Sequence, residues 1–173
     1  MTTLSATVWQ TLQEEFSDIA DAQAYTRIVT RLLIAVLLGG LIGYERERSG
    51  KAAGLRTHML VALGAALFVL APQQGGMEVN DLSRVLQGVI AGIGFLGAGA
   101  IIKSSAEGEV RGLTTAASIW LTAAIGIAAG MGKEVVAIVS ALMALVILDV
   151  LHRVERRING SAANPRPGSD GQA

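Results

Sequence analysis

Five apolar runs, each separated from the next by a short polar stretch, dominate the chain: approximately Ile28–Tyr44, Leu55–Ala71, Val85–Ile102, Leu113–Met131 and Val135–Leu151. Each is about 17–19 residues long, in the lower half of the range that crosses a ~30 Å hydrocarbon core as a helix. A single run of this kind fits a buried helix of a soluble protein. Five in series, with few charges inside them, predict an all-α membrane protein with five transmembrane helices, occupying residues 27–158. Ahead of them Leu4, Val8, Leu12, Phe16 and Ile19 recur at helical spacing, with Trp9 beside the same face. Residues 1–26 therefore read as an N-terminal amphipathic segment lying at the membrane surface or capping the bundle. Residues 159–173, rich in Gly, Asn, Pro and Ser, read as a disordered tail.

The third run carries Gly92-Ile-Gly-Phe-Leu-Gly-Ala-Gly99. At 100° per residue Gly88, Gly92 and Gly99 share one face, and Gly94 and Gly97 fall roughly opposite. A helix smooth on two sides admits close neighbours on both, so this run is expected to be the Gly-rich central third helix. In lipid, helices associate through such close van der Waals approach. Ala35, Gly39 and Gly43 form another small-residue stripe, and Thr115, Ser118, Thr122, Gly126 and Ala129 share a face of the fourth run. That hydroxyl-bearing face is the expected partner of one glycine face of the third helix. Gly92-x-Gly94-x-x-Gly97 also matches the dinucleotide fingerprint literally, but it lies midway through a membrane segment with no strand before it. It reads as helix packing.

Charge sets the orientation. Arg46, Arg48, Lys51 and Arg56 follow the first run, Arg84 alone the second, Lys103 and Arg111 the third, and Lys133 alone the fourth. Arg153, Arg156, Arg157 and Arg166 follow the fifth. High and low counts alternate, which predicts an N-terminus outside and a cytoplasmic C-terminus. Acidic residues in the first 26 positions argue against a cleavable signal peptide.

Composition removes several classes of function. Net charge is zero, giving no basis for nucleic-acid binding. With no cysteine there is no disulfide, thiolate metal site or thiol nucleophile, and two histidines are too few for a histidine metal cluster. Paired aspartates, Ser/His pairs and HExxH are missing, so no catalytic residue is assigned and the chain is read as a non-enzyme.

Two polar clusters remain. The first runs through Glu45, Arg46, Glu47, Arg48 and Lys51 to Arg56, Thr57 and His58. Charges of alternating sign at a helix end suit either a solvated loop or a loop dipping into the bundle; Glu45 and Arg56 are the expected buried pair. The second is Asp81, Arg84 and Gln87, with Asp81 as N-cap of the third helix and Arg84 on its glycine face. Asp149 lies four residues before Arg153 and is explained by an interfacial ion pair.

Gly43-Tyr-Glu-Arg-Glu47, Lys51, Ala53-Gly-Leu-Arg-Thr-His58, Asp81-x-x-Arg84-x-x-Gln87, Gly92–Gly99 and Gly112-Leu-Thr-Thr-Ala-Ala117 with Trp120 resemble, in order, the motifs of the MgtC/SapB family of bacterial inner-membrane proteins. The resemblance covers about Arg31 to Gly132. It implies a five-helix membrane domain, and a role tied to magnesium limitation, acid stress or intracellular survival. It adds Thr114 and Trp120 to the helix-packing positions. Members are described as magnesium transporters or as regulators of other membrane proteins, the F-type ATP synthase among them. Virulence-associated members carry a C-terminal ACT-like domain, where this chain is expected to end in the short tail.

The expectation is thus a non-catalytic, multi-pass inner-membrane protein that modulates magnesium or ion homeostasis or a membrane partner. The alternative is a transporter or channel for Mg²⁺ or another small ion or solute. No cofactor is expected beyond Mg²⁺ as ligand or cargo. The partners expected are the lipid bilayer, a membrane protein and further copies of the chain as a homo-oligomer. Only Asp149 is an acid within the predicted spans, which is thin for a dedicated magnesium path.

Overall fold

The computed structural model describes residues 4–15, 21–103 and 110–162, with side chains as far as Val150 except those of Val79, Ile102 and Lys103. Six helices follow one another: α1 (Leu4–Glu15), α2 (Ala22–Arg48), α3 (Leu55–Gln74), α4 (Val79–Ala100), α5 (Leu113–Gly130) and α6 (Glu134–Ala162). Between α4 and α5 a hairpin pairs β1 (Ile102–Lys103) with β2 (Val110–Arg111), Ile102 opposite Arg111. Among the described residues α2, α3, α4 and α5 are long and apolar enough to cross a membrane. The fifth apolar run lies in α6, where Ala137, Ala141 and Ala144 are buried and Val135, Val139, Leu142, Met143 and Val146 are exposed.

The amphipathic segment divides. α1 ends at Glu15 and buries none of its residues, while residues 22–26 already belong to α2, whose start is capped by Asp21 accepting from the Ala24 amide. Phe16 and Ile19, assigned to the same apolar face, lie outside the described residues. At the other end α6 continues to Ala162, so residues 159–162 are helical; 163–173 lie outside the described residues.

The expected centre of the bundle is corrected. α5, not the glycine-rich α4, packs against each of α2, α3, α4 and α6. Of its most apolar stretch 50% is buried, against 11% for α4, which lies at the periphery against α5 and α3. The reason is in the glycines. A Cβ placed on Gly88, Gly92, Gly94 or Gly99 would meet nothing within 4 Å, and only Gly97 touches a neighbour, Ala116. In contrast, a Cβ on Gly126 would collide with the Ala62 carbonyl, and one on Gly130 would reach Ala66 and Val69. Thr115, Ser118, Thr122, Gly126 and Ala129 are all buried. The partner of this face is thus the Ala62–Ala66 side of α3 rather than a glycine face of α4.

The small-residue stripe of α2 makes the complementary contact. A Cβ on Gly39 would come within 2.6 Å of the His58 carbonyl oxygen, and one on Gly43 within 2.7 Å of Leu55 Cα. The core is accordingly alanine-rich, with Ala35, Ala62, Ala66, Ala129, Ala137 and Ala141 packed around Ile42 and Ile125. Short side chains bring backbones together, which is how helices gain packing energy where lipid is as apolar as leucine. α5 is preceded by its N-cap Gly112, whose φ of 93° is strained for any residue with a Cβ, and where an added Cβ would in any case run into the Ala100 carbonyl.

Candidate functional site

The turn from α2 to α3 gathers most of the first polar cluster. Arg46 follows Ile42 by one helical turn, so it points to the core side of α2 and is 2% exposed. A guanidinium buried this far needs a counter-charge. Its Nε and Nη2 form a fork on the adjacent Glu45 carboxylate, with Nη2 2.9 Å from Oε1. The Ser49 hydroxyl donates to the same oxygen at 2.8 Å. The expected Glu45–Arg56 pair is corrected: Glu45 is engaged by Arg46, and Arg56 is exposed. Arg46 Nη1 is buried and makes no hydrogen bond among the described residues.

Glu47 performs a different task. α3 is preceded by Gly54, which has no side chain with which to cap the helix. Glu47 reaches across the turn, and its Oε2 accepts from the Leu55 amide at 2.9 Å. A carboxylate is well placed there, because the first amides of a helix are unpaired and the dipole favours negative charge. A Cβ at Gly54 would come within 2.6 Å of that oxygen, so the glycine makes room for the cap.

His58 completes the cluster. It is fully buried, with Nδ1 2.9 Å from the Gly54 carbonyl and Nε2 3.1 Å from Ser118 Oγ on α5. A carbonyl only accepts, so Nδ1 carries the proton and a neutral ring accepts through Nε2. The Ser118 hydroxyl has a second acceptor within reach, the Thr115 carbonyl at 2.8 Å. One hydroxyl hydrogen thus serves two acceptors. Within this α2–α3–α5 junction the structure joins Glu45, Arg46, Glu47, His58, Thr115 and Ser118. It leaves Lys51, Arg56 and Thr57 exposed.

The second cluster stands at the opposite end of α3, whose 20 residues span roughly 30 Å. Asp81 is not the N-cap. α4 begins at Val79 after Glu78, which makes no side-chain cap, and Asp81 sits in the first turn. Arg84 lies 3.8 Å from Asp81, with both side chains largely exposed, and Gln87 is exposed. Of the helix-packing positions, Gly97, Thr115 and Ser118 are buried, while Thr114 and Trp120 are exposed. Trp120 lines a gap of about 220 Å³ between α4 and α5, beside Val89, Ile90 and Ile93.

At this same end lies a residue absent from the sequence-based site. Arg31 of α2 donates to the Gly130 carbonyl at 3.2 Å, approaches Gln73 at 3.5 Å and stands 3.9 Å from Glu134. One side chain of α2 therefore ties together the ends of α3, α5 and α6. Its signal was present: Arg31 is a basic residue inside an apolar run, and such residues are seldom idle. Arg31→Ala is expected to cost about 1–3 kcal/mol, the penalty of stranding charge-assisted bonds. A lowered unfolding midpoint in detergent would show it; an unchanged midpoint would refute it.

The MgtC family profile matches residues 32–157. The chain is 45% identical over 137 residues to Protein SrpB of Synechococcus elongatus, covering 73% of this chain and 75% of that protein. It is 41% identical over 137 residues to the "Putative magnesium transporter YhiD" of Escherichia coli K12, covering 75% of this chain and 63% of that one. Against Protein MgtC of Salmonella typhimurium it is 40% identical over 131 residues, covering 76% of this chain and 55% of that protein. The chain thus spans less than two thirds of the length of the latter two relatives. No solved structure matches it. With its apolar helices, its glycine-bearing close contacts and a profile match across α2 to α6, this multi-pass membrane protein belongs to the MgtC family.

Proposed function

We propose that the protein is a non-catalytic bacterial inner-membrane protein that modulates magnesium or ion homeostasis through a membrane partner, such as the F-type ATP synthase. In this reading α6 supplies the fifth span, and the α2–α3 turn faces the cytoplasm with the N-terminus outside. The observation that carries it is where the charges of the first cluster are spent. Arg46 is held by Glu45, Glu47 caps α3, and His58 joins α3 to α5. These groups brace one end of the bundle and are turned toward the chain itself, leaving Arg48 and Lys51 on the surface for a partner.

The second reading is a transporter or channel for Mg²⁺ or another small ion or solute. It is favoured by the name of the Escherichia coli K12 relative, and by Thr122 Oγ1 and Arg46 Nη1, which are buried without hydrogen-bond partners among the described residues. A flux assay separates the two. Protein reconstituted in liposomes with magnesium- and pH-sensitive dyes is expected to pass neither ion. Flux in wild type that Arg46→Met or Thr122→Val removes would establish the second reading.

Arg84 gives a further test of the first reading. Its exposed i,i+3 pair contributes at most about 1 kcal/mol to stability. Arg84→Ala should therefore fold with an unchanged unfolding midpoint yet fail to restore growth of a deletion strain in low magnesium. Full restoration would remove Arg84 from the functional surface.

A further inference from the structure

Three of the glycines that no neighbour approaches gather at one place. Gly64 on α3 and Gly88 and Gly92 on α4 line a cleft of about 570 Å³ between the two helices, where an added Cβ would meet nothing within 4 Å. Leu60, Phe68 and Leu96 also line it, and all three are exposed, at 68%, 62% and 51%. The cleft therefore has a floor of bare backbone and a rim of large apolar side chains. In a membrane-spanning bundle it opens to lipid.

An apolar occupant slim enough to pass between Leu60, Phe68 and Leu96 reaches the glycine floor, and a basic residue at one end of the cleft selects one with an anionic head.

Charge fixes one end. Thr57 precedes Leu60 and Val61 by three and four residues, which puts it in line with the cleft one turn toward the α2–α3 loop. Arg56 is beside it, exposed, with no carboxylate within ion-pair distance among the described residues. The nearby Glu47 carboxylate is turned to the Leu55 amide. Arg48 and Lys51, exposed where α2 turns into α3, belong to the same end of the molecule. The opposite end carries Asp81 beside Arg84 and has no such basic excess.

We propose that the α3–α4 cleft binds one acyl chain of an anionic phospholipid, whose phosphate is held by Arg56 and Thr57 in the leaflet on the α2–α3 loop side. The site exists whether or not the protein conducts ions.

The test uses the full chain, purified in detergent and mixed with equal amounts of phosphatidylglycerol and phosphatidylcholine bearing identical acyl chains, then read by native mass spectrometry. Wild type is expected to keep one lipid per chain and to prefer phosphatidylglycerol about fivefold, the effect of one basic residue near a membrane surface. Gly88→Leu with Gly92→Leu fills the floor and removes the retained lipid. Gly64→Leu, on the other wall, repeats that loss independently. Arg56→Gln keeps a lipid and loses the preference. Wild type that shows no preference, or leucine variants that keep helix content and retain as much phosphatidylglycerol, would overturn the proposal. So would a lipid-free wild-type dimer that the leucine variants dissolve, which would assign the cleft to a second copy.

Discussion

Glu45→Ala is expected to lower folding stability by about 3–5 kcal/mol, the cost of leaving a buried charge without its partner. The size follows from Arg46, which is 2% exposed and whose Nε and Nη2 both rest on the Glu45 carboxylate. Its Nη1 already lacks a partner among the described residues, so the guanidinium has no second acceptor to fall back on. Ser49 would lose its acceptor at the same time. A buried pair replaced whole by apolar groups is often neutral. Glu45→Ala combined with Arg46→Met should therefore recover most of the loss. Unfolding midpoints in one detergent give the comparison. A single variant as stable as wild type would show that Arg46 is hydrated, and a double variant no better than the single would show that the damage is not electrostatic.

Gly126→Leu is expected to prevent closure of α5 on α3. The first added carbon already collides with the Ala62 carbonyl and lies 2.9 Å from Ala62 Cα. Neither atom is the end of a flexible side chain, so relief requires one helix to move. Overpacking costs about 1–3 kcal/mol where side chains can adjust, and more where they cannot. Because α5 touches α2, α4 and α6 as well, its displacement propagates through the bundle. Gly88→Leu is the matched control. It adds the same group to a glycine with open space around it, and should fall within about 0.5 kcal/mol of wild type. Equal losses from the two substitutions would mean that α4 is packed as closely as α5.

These glycines also show where sequence stops informing. The apolar runs were legible because crossing a membrane imposes a length and excludes charge, and the stripes Ala35–Gly39–Gly43 and Thr115–Ala129 were legible from helical spacing. Which stripe meets which was not. Spacing gives a face and no partner, so the densest glycine run drew the central position that α5 holds. The charged turn was located, but its pairing was mistaken. Glu45 and Arg46 are adjacent in the chain and leave α2 about 100° apart, yet a long guanidinium folds back onto the carboxylate before it. Glu47 as a cap eight residues away, and His58 bonded to Ser118 sixty residues away, depend on tertiary approach that no local pattern encodes. The β1–β2 hairpin escaped because two residues per strand carry no periodicity.

The separation between His58 and Ser118 has a consequence for how the protein is made. The glycine contacts and the Glu47 cap of the α2–α3 hairpin involve only residues made by the time Gln74 has been synthesised. At about 5–20 residues per second, the stretch from Gln74 to Ser118 takes the ribosome roughly 2–9 seconds. For that interval the newborn hairpin holds an imidazole nitrogen without its serine, facing the place that α5 will fill. The second hydrogen bond of His58 can form only once α5 has been made.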